Sequence, residues 1–147
     1  MSNIVITGPE ATFSIKTTGS STGDSYSGLF KVSTILGPFD HINANKLQRQ
    51  LLGEHSIVAD DLSRQYAFML SQLHYRIISG PLWWKSALIV DGAHIKDENV
   101  LIEILNNALE AEETYRAEQK QLFDTNIEKL KEKFPDLANA ESESQDE

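Results

Sequence analysis

The sequence predicts an α+β fold: an N-terminal β-hairpin packed on a mainly α-helical body, with a long C-terminal helix and a disordered acidic tail. Three observations predict it. Residues 12–17 (Thr-Phe-Ser-Ile-Lys-Thr) alternate with period two, and residues 26–35 resume that β character after a small, polar, Gly-containing stretch. From Val58 to Ile78, apolar residues recur every three or four positions instead. Beyond Asp97 the helical pattern runs to about Lys133 and then stops at Pro135. We expect one α+β domain over residues 1–134, with the hairpin at 12–36 and the helices at 40–134, followed by a disordered tail at 135–147.

Each element has its own signal. Ile4-Val5-Ile6, closed by Gly8-Pro9, reads as a strand or a loose arm. In the hairpin, Phe30 and Val32, with Ile35 nearby, share one face. A lone hairpin is marginal in water and leaves an open edge, so it needs helices or more strands to cover it. Gly37-Pro38 ends the strand. Asp40 or Asn43 can cap a helix through Leu52, which Gly53 stops. The run from Val58 to Ile78 is the central helix, with Tyr66, Leu70, Leu73 and Ile77 as its core stripe. Asp60 and Asp61 at its start and Arg76 at its end suit the helix dipole.

Gly80-Pro81 breaks that helix just before Trp83 and Trp84, the only tryptophans. The segment from Trp83 to Val90 reads as a short helix or an irregular stretch, and Asp91-Gly92 as a turn. Asp97 reads as the N-cap of the last helix. At 1.5 Å rise per residue, roughly 35 residues span about 50 Å, more than a domain this small needs. Its distal half is expected to project, to fold back at Asp124-Thr125-Asn126, or to pack on another chain.

Composition narrows the function. The 147 residues carry a net charge of −9, and the tail from 135 to 147 supplies −5 of it. An acidic chain repels phosphate backbones, so no nucleic-acid partner is expected. There is no cysteine, which excludes disulfides, thiolate metal sites and a cysteine nucleophile. No apolar run approaches the roughly 18 residues of a membrane span, so no membrane partner is expected. Met1-Ser2-Asn3-Ile4 has neither a basic region nor an apolar core, which predicts a cytosolic chain without a signal peptide.

No constellation carries catalysis or binds a cofactor. His41, His55, His74 and His94 never share the three- or four-residue spacing that offers two ligands to one metal on a helix. His74, near the end of the central helix, is the one to watch as a pH-sensitive contact. Asp60-Asp61 and Asp97-Glu98 are adjacent rather than facing, and helix starts already favour acids. Neither a phosphate-binding glycine loop nor a nucleophile elbow is present. We therefore expect a non-enzymatic protein without cofactors.

The candidate interaction residues are Trp83, Trp84, Tyr66, Phe68, Tyr115 and Phe123. Trp is enriched at binding hot spots, but a Trp pair behind a helix break also suits a core. Adjacent side chains diverge, so one ring can face inward and the other outward.

Several stretches then align with a family pattern. Leu29-Phe30-Lys31-Val32 ends the hairpin, and Lys46-Leu47-Gln48-Arg49-Gln50-Leu51-Leu52-Gly53 follows. Asp61-Leu62-Ser63-Arg64-Gln65-Tyr66-Ala67-Phe68 and Leu73-His74-Tyr75-Arg76-Ile77-Ile78 come next. Pro81-Leu82-Trp83-Trp84 and Asp97-Glu98-Asn99-Val100 complete the order. Over about residues 12–115 this layout resembles tail assembly chaperones of tailed bacteriophages. The resemblance implies a protein that binds the tape measure protein, keeps it soluble and helps recruit tail tube subunits in the host cell cytoplasm. Self-association into a homo-oligomer is compatible with it. The alternative is a structural virion subunit, a connector or a capsid- or tail-associated protein retained in the particle.

Overall fold

Period-two alternation becomes strand structure over residues 5–33. The computed structural model of the chain describes residues 4–55, 58–86 and 88–134, and the expected disordered tail at 135–147 lies outside them. Three strands follow in series: β1 (Val5–Thr7), β2 (Glu10–Thr18) and β3 (Ser25–Ser33). A fourth, β4 (Ile77–Ser79), joins the far side of β3, giving an antiparallel sheet in the order β1-β2-β3-β4. The register pairs Ala11 with Val32 and Phe13 with Phe30. Those four side chains and Ile15 are all buried on one face, and the two Phe rings stack 5.7 Å apart. The other face carries Ser14, Lys16 and a Glu10–Lys31 ion pair at 2.9 Å. One buried and one solvated face is what an antiparallel sheet allows.

The hairpin strands therefore lie in the middle of the sheet. β1 and β4 are only three residues long and pair with residues 10–12 of β2 and residues 31–32 of β3, so residues 13–18 of β2 keep the open edge expected beside the hairpin.

Three helices complete the fold: α1 (Pro38–Leu52), α2 (Asp61–Arg76) and α3 (Glu98–Lys133). α1 starts ahead of the expected caps Asp40 and Asn43. Pro38 occupies its first turn, where a fixed φ and a missing N–H cost nothing. Gly53, with φ of 66°, closes it as expected. The Asp60 carboxylate caps α2 by accepting from Ser63 N at 2.7 Å.

α2 is shorter than the predicted run from Val58 to Ile78. Ile77 leaves it with φ of −80° and ψ of 121°, and the β-branched pair Ile77-Ile78 enters the sheet. Val58, ahead of the helix, is 76% exposed, and Leu62 in its first turn is 51% exposed, so the apolar repeat is buried or half-buried only from Tyr66 onward.

The chain divides into two compact units, Met1–Glu112 and Glu113–Glu147. The core lies in the first. Met69 and Leu73 of α2 and Val100, Leu101, Ile104, Leu105, Ala108 and Ala111 of α3 form one cluster with the sheet face and Trp84. α1 packs on α2 and buries Ala44 and Leu47. Arg76, buried at the end of α2, donates from Nε to Gln72 and lies 3.4 Å from Glu112. The second unit holds the rest of α3, which runs through Asp124-Thr125-Asn126 without a break.

Candidate interaction groove

The tryptophan pair divides between two roles in the fold. Trp84 is 2% exposed, with its ring 5.6 Å from Phe30 in an edge-on contact. It lies across Gly92, where a Cβ would overlap the ring and where φ is +83°. The expectation that either ring could serve an outside contact is thus settled for Trp84, whose ring is core and offers no surface. Trp83 is half-buried. Its indole N–H donates to the Ser27 carbonyl at 2.9 Å, and its ring meets Tyr26 at 5.1 Å and Phe30 at 5.7 Å. Beyond the point where β4 ends, this indole covers the edge of β3. His94 Nε2 lies 2.7 Å from the Trp83 carbonyl.

Gly92 is consequently intolerant of change. Gly92→Ala forces both a left-handed backbone and a clash, and is expected to cost about 3 kcal/mol. Urea denaturation measures it; an unchanged midpoint would mean that the Trp84 ring can move aside freely.

A second polar cluster was not anticipated. Asp97, expected as the N-cap of α3, turns its carboxylate to the β2–β3 loop instead. The residue has no exposed surface. Oδ1 accepts from the backbone N–H of Ser21 and of Thr22, each at 2.8 Å. Oδ2 accepts from the hydroxyls of Thr22 at 2.6 Å and Tyr26 at 2.7 Å. Asn99 adds an acceptor for Ser20 N and a donor to the Thr18 carbonyl. Gly19 sits against the carboxylate, where a Cβ would overlap it. The Thr22 hydroxyl and then that of Tyr26 hold the Asp97 carboxyl down at about 2, against the opposing effect of desolvation. The same bond to Asp97 pushes the Tyr26 hydroxyl up. Both carboxylate oxygens have their acceptor sites filled by donors from within the chain, so the cluster acts as a clip between the β2–β3 loop and the start of α3.

An open groove lies between α1 and α2. The groove, of about 650 Å³, is lined by Leu51 and Leu52 of α1, by Val58, and by Tyr66, Ala67 and Leu70 of α2. Past Tyr66 and Leu70, a second hollow of about 230 Å³ is bounded by Ala93, Ile95 and Leu101. Tyr66 is the ridge between them. Its hydroxyl donates to Glu98 at 2.9 Å, and that bond raises its pKa. The walls are mostly apolar, with Asp60 and Ser63 at one end and Lys96 and Glu98 at the other. Such a surface accepts apolar side chains spaced along one face of a helix.

The other candidate residues lie apart. Phe68 is 47% exposed on α2 and does not line either hollow. Tyr115 is half-buried and Phe123 is 63% exposed, both in the second unit. Only Tyr66 of the six falls in the groove. Leu52 was legible as the end of α1, but neither it nor Leu51 as the wall of a groove.

Among the described residues, no three His, Asp or Glu side chains gather to hold a metal. No described helix is long and apolar enough to cross a membrane. Comparison with family models, curated proteins and solved structures finds no match to this chain.

Proposed function

We propose that this chain is a non-enzymatic protein–protein interaction module of bacteriophage tail morphogenesis. It acts as a tail assembly chaperone that takes apolar helices of the tape measure protein into the α1–α2 groove. The observation that carries this reading is the groove itself: an open, mostly apolar channel between two helices, floored by Tyr66, Ala67 and Leu70. Helix-in-groove recognition needs such a channel and little else. The layout shared with tail assembly chaperones supplies the partner class: the tape measure protein first, then tail tube subunits. The site of action on this reading is the host cell cytoplasm.

The test is co-expression with the tape measure protein of the same phage. The native chain should raise the soluble fraction of that partner and co-purify with it. Val58→Glu with Ser63→Glu places charge at exposed positions of the groove and should cut capture about tenfold, the loss of one hot-spot interaction. Its melting temperature should match the native chain. Equal capture by both forms would remove the groove from the mechanism. Detection of the protein at fixed copy number in purified particles would favour the virion-subunit alternative.

A further inference from the structure

Phe123, Ile127, Leu130 and Phe134 follow one another at spacings of four, three and four. The Phe134 N–H donates to the Leu130 carbonyl at 2.8 Å, so the last residue continues the helical turn. This is a seven-residue repeat, with Phe123 and Leu130 at one core position and Ile127 and Phe134 at the other. A stripe at this spacing stays on one face of the helix, a seam of the shape that a second helix packing alongside can cover. The seam is solvent-facing: Phe123 is 63% exposed, Leu130 50% and Phe134 49%.

We infer that this seam is covered by the same seam of a second copy, and that the two helices run antiparallel. Charge selects both the occupant and the direction. Asp124 and Lys131 each follow a seam residue and flank it on one side. Asn126 and Lys133 each precede a seam residue and flank the other side. In an antiparallel pair, residues of like flank face each other across the seam, with Phe123 opposite Phe134 and Ile127 opposite Leu130. Asp124 of each copy then meets Lys131 of the other, twice by symmetry. In a parallel pair the flanks cross: Asp124 faces Gln119 and Lys131 faces Asn126, and no ion pair forms. Flanking charges are what set partner and orientation in such pairs. A seam this short implies a dissociation constant in about the micromolar range.

Sedimentation equilibrium of the full chain, up to about 200 µM, should give twice the 16.5 kDa chain mass. Phe123→Glu should give the single-chain mass. Asp124→Lys sets like charges together and should weaken the dimer about tenfold. Asp124→Lys combined with Lys131→Asp should restore it. Thermal unfolding of each variant checks that residues 4–112 keep their stability. A single-chain mass throughout, an assembly larger than a dimer, or an Asp124→Lys variant that dimerises as well as the native chain would each overturn the inference.

Discussion

Replacing Trp84 by alanine is expected to destabilise the protein by about 3–5 kcal/mol, the range for removing a buried aromatic side chain. The ring touches three parts of the fold at once. It meets Phe30 of the sheet edge-on, it packs beside Gly80, and it lies over Gly92. Gly80 and Gly92, on that side of the ring, carry no side chains that could fill the space. Trp83→Ala should cost less. Its ring is only half-buried, and the Ser27 carbonyl that loses the indole N–H can turn to water. Guanidinium denaturation of both variants should therefore separate their midpoints clearly. Equal losses would contradict the division of the pair into a core ring and a covering ring.

Asp97→Ala should lower the melting temperature on the order of 10 °C, through donors left without an acceptor. Two backbone N–H groups and two hydroxyls converge on that one carboxylate. Asp97→Asn keeps the shape but not the charge, which gives the effect a pH signature. The native carboxyl is held at about 2, below the ordinary 3.8. A depressed carboxyl contributes its stability above the unfolded value and loses it as pH falls through the folded one. The native protein should therefore lose melting temperature between about pH 4 and pH 2. Asp97→Asn should start lower and fall less over that range. Tyr26 acts at the other end: its raised hydroxyl pKa adds stability below pH 10 that disappears as pH climbs through the folded value. Parallel acid profiles for native and Asp97→Asn proteins would show that this carboxylate is not the group responsible.

The α+β architecture was legible because two periods alternate cleanly along the chain. Phe13-Ser14-Ile15 and Phe30-Lys31-Val32 cannot be read at helical period, and Tyr66, Leu70, Leu73 and Ile77, at spacings of four, three and four, cannot all be read at period two. What was missed lies where both periods fit the same residues, or where the partner is remote. Ile77 satisfies the helical stripe of α2 as well as a strand, so β4 was hidden until the backbone turned. Val58 continues the apolar repeat in sequence, yet the helix begins only at Asp61, and Leu62 in its first turn faces solvent. Asp97 before Glu98-Asn99-Val100 is a helix-start signature, and nothing near it announces that its carboxylate serves residues 21–26. The groove depends on how α1 meets α2, which no local pattern encodes. Tyr66 was singled out as an aromatic on that helix, without the hollows on either side of it.

The Asp97 clip also has a kinetic meaning. Its bonds join residues separated by 71 to 76 positions along the chain. The β2–β3 hairpin can pair through its own short loop, whereas the clip requires the start of α3 to have reached the sheet. Closing so long a stretch of chain is entropically costly, so contacts of this range tend to form late. A clip that closes after the rate-limiting step would act as a latch, and unfolding kinetics of Asp97→Ala test this: the unfolding rate should rise while the folding rate stays nearly unchanged. Such a latch slows opening without speeding formation, which ties the lifetime of the native state to one buried carboxylate.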